Sequence, residues 1–192
     1  MFLSKRNATF RGSAPNGAGV NIMHSSIYTP SVLVTTYRKY NAGMSSGHWL
    51  KLTDFSDNDE FITRFRKLNN DEAEPELMIL DTADIPGLVA SEYGINWTTF
   101  IEAFRDACDE HCEAALMAWY EAGNEGDFDA FQAAYVGEAV DEEAYAIAYV
   151  EDYDLLEGMP AELRMYFDYE AYGRDLFLNG LTLSGGYVFR SL

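Results

Sequence analysis

The sequence predicts an α+β fold of small consecutive units with an acidic surface, and three observations carry that reading. β-branched and alternating segments near residues 31–52 and 76–82 give way to helical periodicity over 96–134, after which strand-like and helical stretches alternate again. Hydrophobic residues make up 48% of the 192 positions, with 13 Tyr, 12 Phe and 3 Trp. Disordered acidic tails lack such residues, so this chain folds. The third observation is that charge is segregated along the chain. The expected units are a β-rich one with a helix over 31–95, a helical one over 96–134 and an α+β one over 135–192. Residues 1–30 precede them as a basic, Gly-, Ser- and Asn-rich extension that reads as flexible.

Each element has a local reason. Ser31–Tyr37 carries Val32, Val34, Thr35 and Thr36 and reads as a strand. Asn41-Ala42-Gly43 turns the chain into a second strand over Gly47–Leu52. Ser56 is the expected N-cap of a helix whose first-turn acids suit its positive end and whose apolar face is Phe61, Ile62, Phe65 and Leu68. Glu76–Thr82 follows as a third strand, completing a β-β-α-β unit.

Asn96 is expected to cap a helix running to about Ala122, with Trp97, Ile101, Phe104, Cys108, Cys112, Ala115 and Trp119 on one face. Glu102, Asp106, Asp109 and Glu113 fall in a narrow band opposite; a break near Asp109 would leave two shorter helices with most of this pattern. Asp127 caps a short helix through Ala133. Ala134–Glu138 is a strand, Asp141–Leu156 a helix, Pro160 the start of a helical turn and Asp168–Phe177 a last helix. Thr182–Arg190 closes as a strand, with Gly185-Gly186 as a bulge or turn.

The net charge is −19, but its distribution is more informative. Residues 1–53 hold six Lys or Arg and no acid; residues 54–192 hold all 32 acids and seven basic residues, leaving −25 there. Residues 106–163 contain 17 acids and neither Lys nor Arg. Such a surface repels nucleic acid and anionic membrane and attracts basic proteins. Two Cys make no disulfide framework, no stretch approaches the ~20 apolar residues of a membrane span, and the N-terminus lacks the apolar core of a secretory signal. The expected compartment is the reducing cytoplasm.

Most catalytic chemistries find no footing. Cys108-x-x-His111-Cys112 can bring three ligands together on a helix, but structural zinc wants four and no other Cys exists. Asp54-x-Ser56-x-Asn58-x-Glu60 resembles the start of a calcium loop yet lacks its glycine at position six and its acid at position twelve. No nucleophile elbow, phosphate-binding loop or His-Glu-x-x-His is present. Neither enzyme nor cofactor is expected.

A charge run is ordinarily just a solvated face. Here, like-charged pairs Glu102/Asp106 and Asp109/Glu113 would each destabilise a helix by about 0.2–0.5 kcal/mol, and no compensating Lys or Arg follows. Halophilic acidity would also reach residues 1–53, and it does not. The candidate surface therefore comprises Glu102, Asp106, Asp109, Glu110, Glu113, Glu121, Glu125, Asp127, Asp129, Glu138, Asp141, Glu142, Glu143, Glu151, Asp152, Asp154 and Glu157. Duplex DNA carries a charge per ~1.7 Å of axis, and helical neighbours hold Cβ atoms ~5–6 Å apart. Carboxylates spread over several helices can thus approach the density of phosphates and occupy a basic DNA-binding cleft.

Two stretches resemble a known family. Tyr37-Arg38-Lys39-Tyr40-Asn41-Ala42-Gly43, followed by Gly47-His48-Trp49-Leu50, is similar to the N-terminal signature of the ArdA antirestriction proteins. Residues 160–176, from Pro160-Ala161-Glu162-Leu163-Arg164 through Tyr166-Phe167-Asp168-Tyr169 to Leu176, resemble that family's most recognisable stretch. The resemblance spans about residues 31–192. It implies an elongated, three-domain homodimer that mimics bent duplex DNA and fills the DNA groove of Type I restriction–modification enzymes. Such proteins are carried by mobile genetic elements as counter-defence and have no catalytic residue or cofactor. Residues 1–30 have no counterpart in the pattern. In 166–175 the expected role is structural: Tyr166, Phe167, Tyr169, Tyr172 and Leu176 pack, and Arg174 pairs with an acid. The alternative reading of the acidic surface is an inhibitor or partner of another basic DNA-binding protein or phage-defence system.

Overall fold

The computed structural model describes residues 28–191 other than Leu88. The expectation of a flexible basic extension therefore lies almost wholly outside the described residues. The architecture is mixed α+β, with eight α-helices and small antiparallel sheets among the described residues.

β1 (Ser31–Thr36) is the central strand of the first sheet, between β2 (His48–Lys51) and β3 (Leu77–Ala83), in antiparallel order β2-β1-β3. Its β-branched side chains suit a strand covered on both faces, and five of its six residues are buried. Val32 stands opposite Leu50 and Thr82; the register with β3 slips between Leu33 and Val34.

The expected turn falls at Ala42-Gly43, but a short helix that was not expected, α1 (Tyr37–Asn41), precedes it. Thr36 caps it by accepting from the Lys39 N–H at 3.2 Å while its own hydroxyl donates to buried Glu72 at 2.6 Å. Lys39 Nζ reaches Asn69 Oδ1 and Asp71 Oδ1, both at 2.9 Å. The Tyr37–Gly43 signature is thus a clip tying β1 to the loop after the next helix. That helix, α2 (Asn58–Leu68), is capped by Asp57 rather than Ser56: Asp57 accepts from the Glu60 N–H at 2.8 Å. Glu60 reaches back to the Ser56 N–H, so Ser56 is one position too early. Phe61 and Phe65 of α2 enter the core. A small hairpin of β4 (Ala90–Ser91) and β5 (Gly94–Ile95), which the sequence did not announce, follows β3.

The helical region expected over 96–122 breaks after Asp109, the alternative that the sequence allowed, and forms three segments. Asn96 makes no side-chain capping bond, and the chain first winds as a π-helical turn over Trp97–Ile101. α3 (Glu102–Asp109) then ends at a break where His111 takes φ 57° and the Cys112 N–H donates to Ala107 O at 2.8 Å. α4 (Glu113–Glu121) starts afresh and buries six consecutive residues, Ala115 to Tyr120. No amphipathic wheel fits it, because α3 packs on one side and the C-terminal sheet on the other. α5 (Phe128–Ala134) is capped by Asp127, as expected, at 3.0 Å from the Ala130 N–H.

β6 (Tyr135–Glu138), β7 (Leu181–Ser184) and β8 (Tyr187–Arg190) form the last sheet, in order β6-β8-β7. The strand expected over 182–190 is a hairpin: Gly185 and Gly186 take φ +58° and +86°, two positive values that a two-residue hairpin turn demands. α6 (Glu142–Asp152) is capped by Asp141 at 2.7 Å from the Ala144 N–H and stops four residues before Leu156, where Asp154 turns left-handed at φ +49°. α7 (Ala161–Arg164) follows Pro160 as expected. α8 (Tyr169–Leu178), capped by Asp168, lies on α6; Gly173 permits this, because a Cβ there would stand 2.5 Å from Glu142 O. Phe167 packs with Tyr169 and Tyr172. Tyr166 does not pack but is 79% exposed, and Arg174 makes no ion pair among the described residues. One contiguous core runs from Val32 and Val34 through Phe61, Phe104 and Leu116 to Phe131 and Phe189.

Candidate functional site

The feature to be located is a set of carboxylates, and their placement follows from what each helix buries. α3 turns Ala103, Phe104 and Ala107 inward, which leaves Glu102, Asp106 and Asp109 exposed. Because the helix ends there, the band expected to continue through Glu113 is cut. Glu110 lies exposed in the break, and Glu113, half-buried, opens α4. Glu102/Asp106 remains a like-charged pair one turn apart within a helix; Asp109/Glu113 straddles the break and is not such a pair. Glu121, Glu125, Asp127, Asp129, Glu138, Asp141, Glu142, Glu143, Glu151, Asp152, Asp154 and Glu157 are all exposed.

These acids divide by what they do for the fold. Asp127 and Asp141 are N-caps, so each has a structural reason to be acidic. Glu113, Asp129, Glu142 and Glu143 sit in first turns, where the helix dipole favours them. Asp109, Glu121, Glu151 and Asp152 occupy the opposite ends, where carbonyl dipoles disfavour negative charge and no basic residue stands in the last turn. Asp154 holds a left-handed backbone that glycine would adopt more easily. Local structure does not account for this second group.

Counter-charges are scarce. Of the 32 carboxylates only Glu72 is buried and Glu113 half-buried, and Lys39–Asp71 at 2.9 Å is the only ion pair among the described residues. Arg105 and Arg164, which flank the Lys- and Arg-free segment, are occupied by backbone. Arg105 donates to the carbonyls of Phe55 and Ser56 and lies over the Trp97 ring; Arg164 donates to Met159 O at 3.0 Å. The uncompensated field reaches inward too. Burial, then Glu110 and Glu113, push the Cys112 thiol up to about 12; burial and Glu138 push the Tyr135 hydroxyl up to about 12. Burial, with Asp127 near, raises Tyr120, whose hydroxyl lies 2.7 Å from the carbonyls of Thr99 and Gly126.

Two grooves collect some of the acids. Glu138 and Asp152 line one between α6, α8 and the C-terminal sheet, while Glu151, Asp154 and Glu157 line another beside Arg164. The break at His111 removes the helical register that would have gathered Cys108, His111 and Cys112. Among the described residues no group of three His, Cys, Asp or Glu side chains is placed to hold a metal ion. No described helix is long and apolar enough to cross a membrane.

Sequence reasoning drew its candidates from the Lys- and Arg-free segment 106–163, with Glu102 at its flank. It passed over equally exposed acids, such as Asp81, Asp84, Glu92, Glu162 and Asp175. It also missed the tyrosines lining the first groove, although Tyr145, Tyr149 and Tyr153 recur at a helical spacing of four.

Compared with known proteins, the chain matches a family model described as antirestriction protein (ArdA) over residues 32–189. No curated protein matches it.

Proposed function

The chain belongs to the ArdA family of antirestriction proteins, and from that premise we propose that it imitates duplex DNA and inhibits Type I restriction–modification enzymes by filling their DNA-binding groove. The observation that carries this reading is the uncompensated surface: exposed carboxylates on every element from α3 to the turn after α6, and cations at its borders bound to carbonyls instead. Several of those acids sit where they disfavour their own helices. A basic groove would relieve that repulsion, which makes association favourable and steers it at long range. The inhibitor works by occupancy and needs neither a catalytic residue nor a cofactor, and its charge keeps it from nucleic acid and anionic membrane.

The same reading takes residues 31–95, 96–134 and 135–192 as consecutive units of an elongated mimic that acts as a homodimer. Exposed apolar side chains beyond α6, among them Leu155, Leu163, Met165 and Tyr166, support a second copy as their partner. The test is a cleavage and methylation assay with a purified Type I enzyme. Stoichiometric inhibition that weakens as salt rises is expected; full activity in the presence of excess protein would reject the proposal.

A further inference from the structure

The groove between α6, α8 and the C-terminal sheet has a volume of about 580 Å³, and one wall is a row of aromatic rings. Tyr145, Tyr149 and Tyr153 follow one another down α6 and onto its C-cap, with ring centroids 5.9 Å and then 4.6 Å apart. Tyr145 is anchored edge-on against Phe177 at 5.6 Å, whereas Tyr153 is 65% exposed at the mouth. The carboxylates of Glu138 and Asp152 share the groove. Arg190 also lines it, yet makes no ion pair with either acid among the described residues, and two carboxylates against one guanidinium leave the groove negative.

Ring faces are electron-rich and attract a cation laid over them, the more so when carboxylates stand beside them. A guanidinium suits such a wall better than an ammonium, because it is planar, stacks on rings and donates sideways to acids. We propose that this groove receives an arginine side chain of the protein whose DNA-binding surface the chain occupies; that the arginine comes from such a partner rests on the proposed function, whereas the affinity of the groove for a guanidinium does not. Imitation of DNA would then combine distributed charge with one shaped contact.

The test uses the full chain and N-acetylarginine amide as probe, read by NMR of the tyrosine ring signals. Saturable shifts of the Tyr149 and Tyr153 rings are expected, weaker with N-acetyllysine amide. Tyr153→Leu should raise the half-saturating concentration about fivefold and Tyr153→Phe should leave it near the wild-type value; neither changes the charge. Absence of a saturable shift overturns the proposal, as does a Leu variant that binds like the wild type or a Phe variant that loses as much as Leu. A change of molecular mass in the Leu variant would make the groove an interface between copies and likewise reject it. Because the probe replaces the enzyme, failure of the inhibition assay leaves this result standing.

Discussion

Neutralising acids at helix C-termini should strengthen the fold and weaken inhibition at once. Asp109, Glu121 and Glu151 stand in the last turns of α3, α4 and α6, exposed and without a basic neighbour in the turn. Each opposes a dipole end equivalent to about half a negative charge, and such contacts amount to about 0.3–1 kcal/mol at low ionic strength. Exposure favours the lower end, so Asp109→Asn, Glu121→Gln and Glu151→Gln together should stabilise by roughly 1 kcal/mol. For a chain of this length that raises Tm by roughly 2–4 °C. Added salt should erase the gain. The control is Asp127→Ala with Asp141→Ala, which also removes negative charge but destroys caps at 3.0 and 2.7 Å; losing a cap destabilises by ~1 kcal/mol. Thermal melts at low and high salt, alongside inhibition of a Type I enzyme, separate the two sets. A triple variant that melts below the wild type, or inhibits as well as it does, would refute the reasoning.

Three further outcomes follow from packing and titration. Thr36→Val should destabilise by about 1–3 kcal/mol in chemical denaturation, because Glu72 would stay buried without the hydroxyl now 2.6 Å away. Gly173→Ala should destabilise by about 1–3 kcal/mol and loosen α8 from α6, visible as faster amide exchange in both, since its Cβ would meet Glu142 O. Cys112 has its folded pKa raised from an ordinary 9.0 to about 12, so above pH 9 the unfolded chain loses a proton that the folded one keeps. Stability should be full below pH 9 and fall as pH rises toward 12, and Cys112→Ala should flatten that fall in urea midpoints measured across the range.

Signals confined to a few residues were legible in the sequence. The β-branched run of β1 and the capping acids Asp127, Asp141 and Asp168 act on their own segment, so the corresponding elements appear where expected. Ser56 lost its role to Asp57 because two adjacent capping residues compete and backbone geometry at the helix start decides between them. The break after Asp109 falls where the sequence allowed one, whereas the all-round burial of α4 depends on what packs against it, which helical periodicity does not encode. Exposure of the 17 candidate acids was nearly fully legible, Glu113 being the one half-buried. What escaped was long-range: Arg105 settles on carbonyls some fifty residues upstream, and the tyrosine row gains its meaning only from the groove it lines.

The most direct measurement of the central claim is competition at equilibrium. A Type I restriction–modification enzyme is held with labelled target DNA at low salt, and the protein is titrated in at several DNA concentrations. If the protein occupies the DNA groove, the amount needed for half displacement rises in proportion to the DNA present, and displacement weakens steadily as salt is added. A half-displacement point independent of DNA concentration would contradict the account, as would a ternary complex of enzyme, DNA and protein.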